Sequence, residues 1–76
     1  MTAIQHANEA QVRYHTAQVV RYAAEAITAA HVAEIAHRDP DVRVYIAASA
    51  LAEYAYQNEC AARCGLKNAK LIAEAA

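Results

Sequence analysis

Cys60 and Cys64 stand four residues apart, so on a helix both thiols share one face, a spacing that suits two ligands of a zinc ion. If the chain folds back on itself, Cys64 comes opposite about residue 14, which brings in His15 as a third ligand. Such a Cys60, Cys64, His15 site still needs a fourth ligand, supplied by another chain. The plainer reading is a pair of small buried hydrophobic side chains, because zinc signatures normally contain two ligand doublets.

His31, Glu34 and His37 form the other suggestive string. A His and a Glu three apart can converge on a metal. The two histidines, however, lie about 120° apart around a helix, which separates them from one ion and distinguishes the string from the His-Glu-x-x-His zinc motif. Solvated or structural histidines are the expectation. His37-Arg38-Asp39 matches three letters of a kinase catalytic loop, but no glycine-rich loop or partner lysine accompanies it. A chain with one glycine contains no phosphate-binding glycine loop, and it shows no nucleophile elbow or Ser/His/Asp arrangement. No catalytic residue is assigned.

Five tyrosines with no Phe or Trp suit half-buried boundaries, where the ring packs and the hydroxyl stays wet. Ordinary boundary packing is one reading. A binding surface made of Tyr14, Tyr22, Ile46, Tyr54 and Tyr56 is the other, since Tyr is enriched at interface hot spots.

The elements that would position these groups are helical. Pro40 is the only proline among 76 residues; it disfavours helix at Asp39 and lacks the N–H that a helix interior needs. A first helix is therefore expected over about 3–37, capped by Thr2, and a second over about 40–64, with Asp39 as its cap and Pro40 at its first position. So short a turn makes the two antiparallel neighbours. Gly65 is expected to end the second helix in a left-handed turn followed by Leu66, and Asn68 to cap a short third helix over about 68–75. The fold class is all-α: a helical hairpin plus a short C-terminal helix, in one domain spanning 1–76.

Composition sets the energetic problem. Of 44 hydrophobic residues, 22 are Ala and only 14 are Val, Ile or Leu. Burying a large aliphatic side chain contributes roughly 1.5–3 kcal/mol and alanine far less, so a monomer's core is thin. A small-residue seam runs through Val12, Thr16, Val19, Ala23, Ala26, Ala30 and Ala33, and a second stripe through Ala3, Ala7, Ala10, Tyr14 and Ala17 lies on another face. One partner helix cannot cover both stripes. On the second helix the expected seam is Val44, Ala48, Leu51, Ala55, Asn58 and Ala62. Association into a four-helix-type bundle, most simply a dimer, is the expected remedy.

Charge narrows the partners. The net charge is −1, and six of the seven basic residues have a carboxylate four positions away. Nucleic acid is thus an unfavoured partner and anionic membrane attracts nothing. The longest uncharged apolar run, Val44 to Ala52, has nine residues, far below the roughly 18–20 of a membrane span. Residues Met1 to Ala10 show no basic region followed by an apolar core, so no signal peptide is expected, and two thiols suit a reducing cytoplasm. High Ala with five Arg to two Lys hints at a bacterial or phage origin. The expectation is a non-enzymatic helical protein that self-associates and binds or modulates a protein partner, with no cofactor. The alternatives are a zinc-binding bundle, an oligomer that holds a nucleotide or other small ligand, and a nucleic-acid-binding hairpin dimer.

Overall fold

The turn around Pro40 is built from two aspartates with separate tasks. A computed structural model describes residues 2–75. In it the last turn of the first helix tightens: Arg38 N–H donates to Ile35 O at 3.1 Å and Asp39 N–H to Ala36 O at 3.0 Å, i to i−3 bonds that satisfy otherwise orphan carbonyls. Asp39 then uses its carboxylate to bridge the proline, accepting from Asp41 N–H at 2.8 Å. Asp41 caps the second helix, accepting from Arg43 N–H at 3.0 Å, while its own carbonyl accepts from Val44 N–H at 3.0 Å.

The result is a hairpin of two equal helices, α1 (Ala3–Ala36) and α2 (Val42–Ala75), each of 34 residues. Thr2 caps α1 in a reciprocal box: its hydroxyl accepts from Gln5 N–H at 3.1 Å and the Gln5 amide oxygen accepts from Thr2 N–H at 2.7 Å. This is the expected N-terminal cap. At the turn the expectation shifts by two residues, since Asp41 is the cap of α2 and Pro40 lies before the helix. Asp39 cannot serve, because its carboxylate is already turned toward the Asp41 N–H.

A larger correction concerns the C-terminal third. No break occurs at 64–68: α2 continues through Gly65 and Asn68 to Ala75, and no residue among those described has a positive φ. The separate helix over 68–75 and the left-handed glycine cap are therefore absent. Gly65 costs helix stability, by about 1 kcal/mol relative to Ala, but α2 stays packed on α1 along its whole length and that contact offsets the cost. The glycine serves close approach instead. A Cβ placed on it would lie 2.9 Å from His15 Nδ1 and 3.1 Å from His15 Cε1, so the imidazole of α1 rests against bare backbone of α2.

The seam between the helices keeps a 3/4 spacing throughout. On α1 the buried and half-buried positions run Asn8, Val12, His15, Val19, Tyr22, Ala26, Ala29, Ala33, Ala36; on α2 they run Ala48, Ala52, Ala55, Glu59, Ala62, Leu66, Ala69, Ala73. That is the signature of an antiparallel coiled-coil pair. Of the expected seam, Val12, Val19, Ala23, Ala26, Ala33, Ala48, Ala55, Asn58 and Ala62 do lie at or beside it, whereas Thr16, Ala30, Val44 and Leu51 point outward. Leu51 is 65% exposed. The seam is rotated relative to the expectation: toward the turn the contact is alanine on both helices, while Val12, His15, Val19, Tyr22, Glu59 and Leu66 fill it toward the free ends.

The buried core among the described residues consists of Ala36, Ala48, Ala55 and Ala69 alone, with no large side chain fully enclosed. The Cα envelope measures 59 × 14 × 11 Å. Among the described residues no helix is long and apolar enough to cross a membrane.

Two outcomes test these contacts. Gly65→Ala is expected to destabilise the wild type through the clash with His15, yet to stabilise a His15→Ala background by about 1 kcal/mol, read by urea unfolding of the four proteins in the cycle. At the turn, the Arg43 guanidinium and backbone N–H hold Asp41 below the ordinary carboxylate range. A depressed folded pKa contributes stability above the unfolded pKa that is lost as pH falls through the folded one. Asp41→Asn is therefore expected to flatten the acid limb of a thermal-melt pH series, and Asp41→Ala to lower Tm at neutral pH.

Candidate functional site

A two-helix hairpin has no interior beyond its seam, so whatever it does is done on its faces. Helix geometry assigns each outward residue to one side of the seam or the other. One broad side shows Ile4, Tyr14, Val32 and Ile35 of α1 beside Val44, Leu51, Tyr54 and Ile72 of α2, all exposed. The other shows Val20 and Ile27 beside Ile46 and Tyr56, among many charged groups. The grooves along the seam divide in the same way. One, of about 470 Å³, lies at the turn end of the second side and is lined by Ala30, Ala33, Glu34, His37, Tyr45, Ser49, Ala52 and Glu53. Another, of about 270 Å³, lies toward the free ends of the first side and is lined by Asn8, Gln11, His15, Gly65, Asn68, Ala69 and Ile72.

Charge separates the two sides sharply. The first carries only Arg21 and Glu25, joined to each other at 3.2 Å. The second carries Glu34 and Glu53 toward the turn, and Arg13, Arg63, Lys67 and Lys70 together with Glu9 and Glu74 toward the free ends. Of the expected four-apart ion pairs, Arg21–Glu25 and Arg63–Glu59, at 3.2 and 2.7 Å, are formed. Arg43 turns back to Asp41 at 2.8 Å in place of Asp39, because Asp39 is committed to the turn. Arg13, Arg38, Lys67 and Lys70 take part in no ion pair among the described residues. The Arg21–Glu25 and Arg43–Asp41 pairs are largely exposed and add little to stability individually, whereas Glu59 of the Arg63 pair is half-buried at the seam.

The residues singled out for metal chemistry fall apart in space. Cys60 and Cys64 are free thiols on the exposed part of α2, whereas His15 sits in the seam with its ring 5.2 Å edge-on from that of Tyr14 and against Gly65. No group of three His, Cys, Asp or Glu side chains converges as a metal site among the described residues. His31 lies 4.0 Å from Glu34, an exposed neighbour pair. His37 turns the other way, 4.9 Å edge-on from Tyr45 across the turn. That contact forms one wall of the larger groove, whose Glu34 and Glu53 carboxylates would meet the phosphates of any nucleotide with like charge; the groove suits a cationic group better.

The interface residues divide between the sides. Tyr14 and Tyr54 lie on the uncharged side, Ile46 and Tyr56 on the charged one, and Tyr22 is half-buried in the seam with the Arg21 guanidinium 5.2 Å from its ring centroid. Leu51, Val32, Ile35 and Val44 escape a reading based on aromatic residues. A helical wheel centred on the alanines, and not on the largest apolar residues, finds them. No known protein family, curated protein or solved structure matches the chain.

Among the tyrosines, Tyr56 has a distinct environment. The neighbouring Cys60 thiol, through its polar interaction with the phenol and the charge it acquires on ionising, pushes Tyr56 above the ordinary value, with Glu59 and Glu53 adding to it. Ultraviolet titration of the tyrosines is expected to show one late transition that moves to lower pH in Cys60→Ala and stays in place in Cys64→Ala.

Proposed function

We propose that this chain is a small non-enzymatic helical interaction protein that self-associates, and whose assembly binds or modulates a protein partner. One observation carries the reading: among the described residues the folded hairpin fully encloses nothing larger than alanine, while fifteen large apolar side chains remain exposed along both helices. Alanine burial alone stabilises a 76-residue fold weakly, and scattered exposed apolar residues are ordinary whereas a continuous row is not. Covering one row with protein supplies the missing large-side-chain burial and completes a bundle of the kind that two antiparallel hairpins form.

The charged side supports a partner surface. It combines the turn-end groove, Tyr56, an acidic turn end at Glu34 and Glu53 and a free end of mixed sign, and such a charge pattern favours oriented, selective docking. Tyrosine there supplies rigid contact area with a polar tip.

Sedimentation equilibrium tests the self-association. The expected result is a mass near twice 8.2 kDa at micromolar concentration, with a thermal midpoint that rises with protein concentration, because dissociation is then linked to unfolding. A stable, fully helical monomer over the same range would overturn the reading.

A further inference from the structure

Resting on that self-association, we infer that the uncharged broad side of the hairpin, centred on Val32, Val44, Leu51 and Tyr54, is the face that a second copy of this chain covers, leaving the charged side free for other partners.

Self-pairing makes a specific demand: in a two-fold dimer one patch must be complementary to itself. A patch with net charge of one sign repels its own copy, and a patch with many charges must desolvate them. The uncharged side avoids both costs. It carries two of the fifteen charged residues, Arg21 and Glu25, the total being seven Lys and Arg plus eight Asp and Glu, and those two are already joined at 3.2 Å. It also displays eight of the fifteen exposed large apolar side chains. The opposite side would place Arg63, Lys67 and Lys70, or Glu34 and Glu53, in a desolvated contact.

Area points to the same occupant. A compact folded monomer of 8.2 kDa exposes roughly 4,500 Å² by the usual scaling of surface with mass. This chain exposes 5687 Å². The surplus, roughly 1,200 Å², is the order that one partner in a standard interface buries, about 800 Å². A broad side of the 59 × 14 × 11 Å envelope has a projected area of roughly 800 Å² as well, so a second hairpin laid along it matches the requirement without any further segment. The groove beside Gln11, Gly65 and Ile72 continues this side toward the free ends, where an apolar side chain of the second copy can seat.

Paired charge-insertion variants, with Leu51 and Ile27 at 65% and 72% exposure, provide the test, since neither side chain belongs to the seam. Leu51→Glu is expected to raise the dimer dissociation constant by at least about 100-fold, as burial of an unpaired carboxylate at an interface centre should, while Ile27→Glu changes it less than about threefold. Hydroxyl-radical footprinting of the wild type, read by mass spectrometry, gives a result independent of any variant's folding: Leu51 and Tyr54 are expected to become protected as concentration rises through the dimerisation range, with Ile27 and Tyr56 still reactive. A dimer that resists Leu51→Glu and separates with Ile27→Glu, or that protects Ile27 and not Leu51, would overturn the assignment of the face while leaving self-association intact. A wild type that stays monomeric would overturn both.

Discussion

The structure depends on how closely two helices can approach where alanine alone lies between them, as it does over the turn half of the seam. At Ala26, Ala29, Ala33 and Ala36 on one side and Ala48, Ala52, Ala55, Ala62, Ala69 and Ala73 on the other, each side chain is a single methyl group. Small contact side chains bring helix axes to the short end of the usual 8–10 Å range. At that separation a leucine or isoleucine in the turn half of the seam would be overpacked, whereas toward the free ends the seam takes Val12, Val19, Tyr22 and Leu66. The large apolar residues are consequently turned outward, and Ile27, Leu51 and Tyr54 are exposed for the same reason that Ala48 and Ala55 are buried.

A seam of repeated methyl groups is also poorly marked for register. Sliding α2 by a heptad replaces alanine with alanine along the row Ala48, Ala55, Ala62 and Ala69, at small cost for that row. The features that resist sliding are the exceptions to the alanine rule. His15 requires a residue without a side chain opposite it, and Gly65 is the only glycine in the chain. His37 and Tyr45 meet edge-on across the turn, and the aspartate turn sets the starting point from which the seam is counted. Register thus comes from one tight contact near the open end and one hydrogen-bonded device at the closed end, with the alanines supplying adhesion between them.

This division explains what could be read in the sequence. Pro40, flanked by Asp39 and Asp41 between two alanine-rich segments, made the hairpin and its all-α class legible, because the proline's effect on its neighbours is local. Thr2 was legible as the cap of α1 for the same reason. Gly65 was not, because its role depends on His15, fifty residues earlier in the chain. Taken alone, a glycine followed by leucine reads as a helix stop. Size misleads about the rotation of the seam: large apolar residues usually mark a buried stripe, but between closely packed helices they mark the surface. For the trio of Cys60, Cys64 and His15, counting opposite residues around the turn places His15 near Cys64 without fixing which way either side chain points, and the described residues show no convergent group of three.

The separation of seam from faces has a functional consequence. Contacts that hold the hairpin together use positions where only small residues fit, while contacts available to partners use positions where size is unconstrained by the fold. Substitution at Ile46, Tyr54 or Tyr56 can therefore change what the surface recognises without altering how the helices pair, and substitution at Ala48 or Ala55 cannot. The two broad sides are also energetically unequal. An apolar, nearly uncharged side loses most by remaining in water, whereas the side bearing Glu34, Glu53, Arg63, Lys67 and Lys70 is well solvated alone and gains mainly by meeting a surface with complementary charge. In the proposed assembly a second copy would cover the first side and leave the second side outward on both copies. A partner would then meet two identical charged faces, each with an aromatic and a shallow groove, so that even weak contacts at each face would gain from being offered twice.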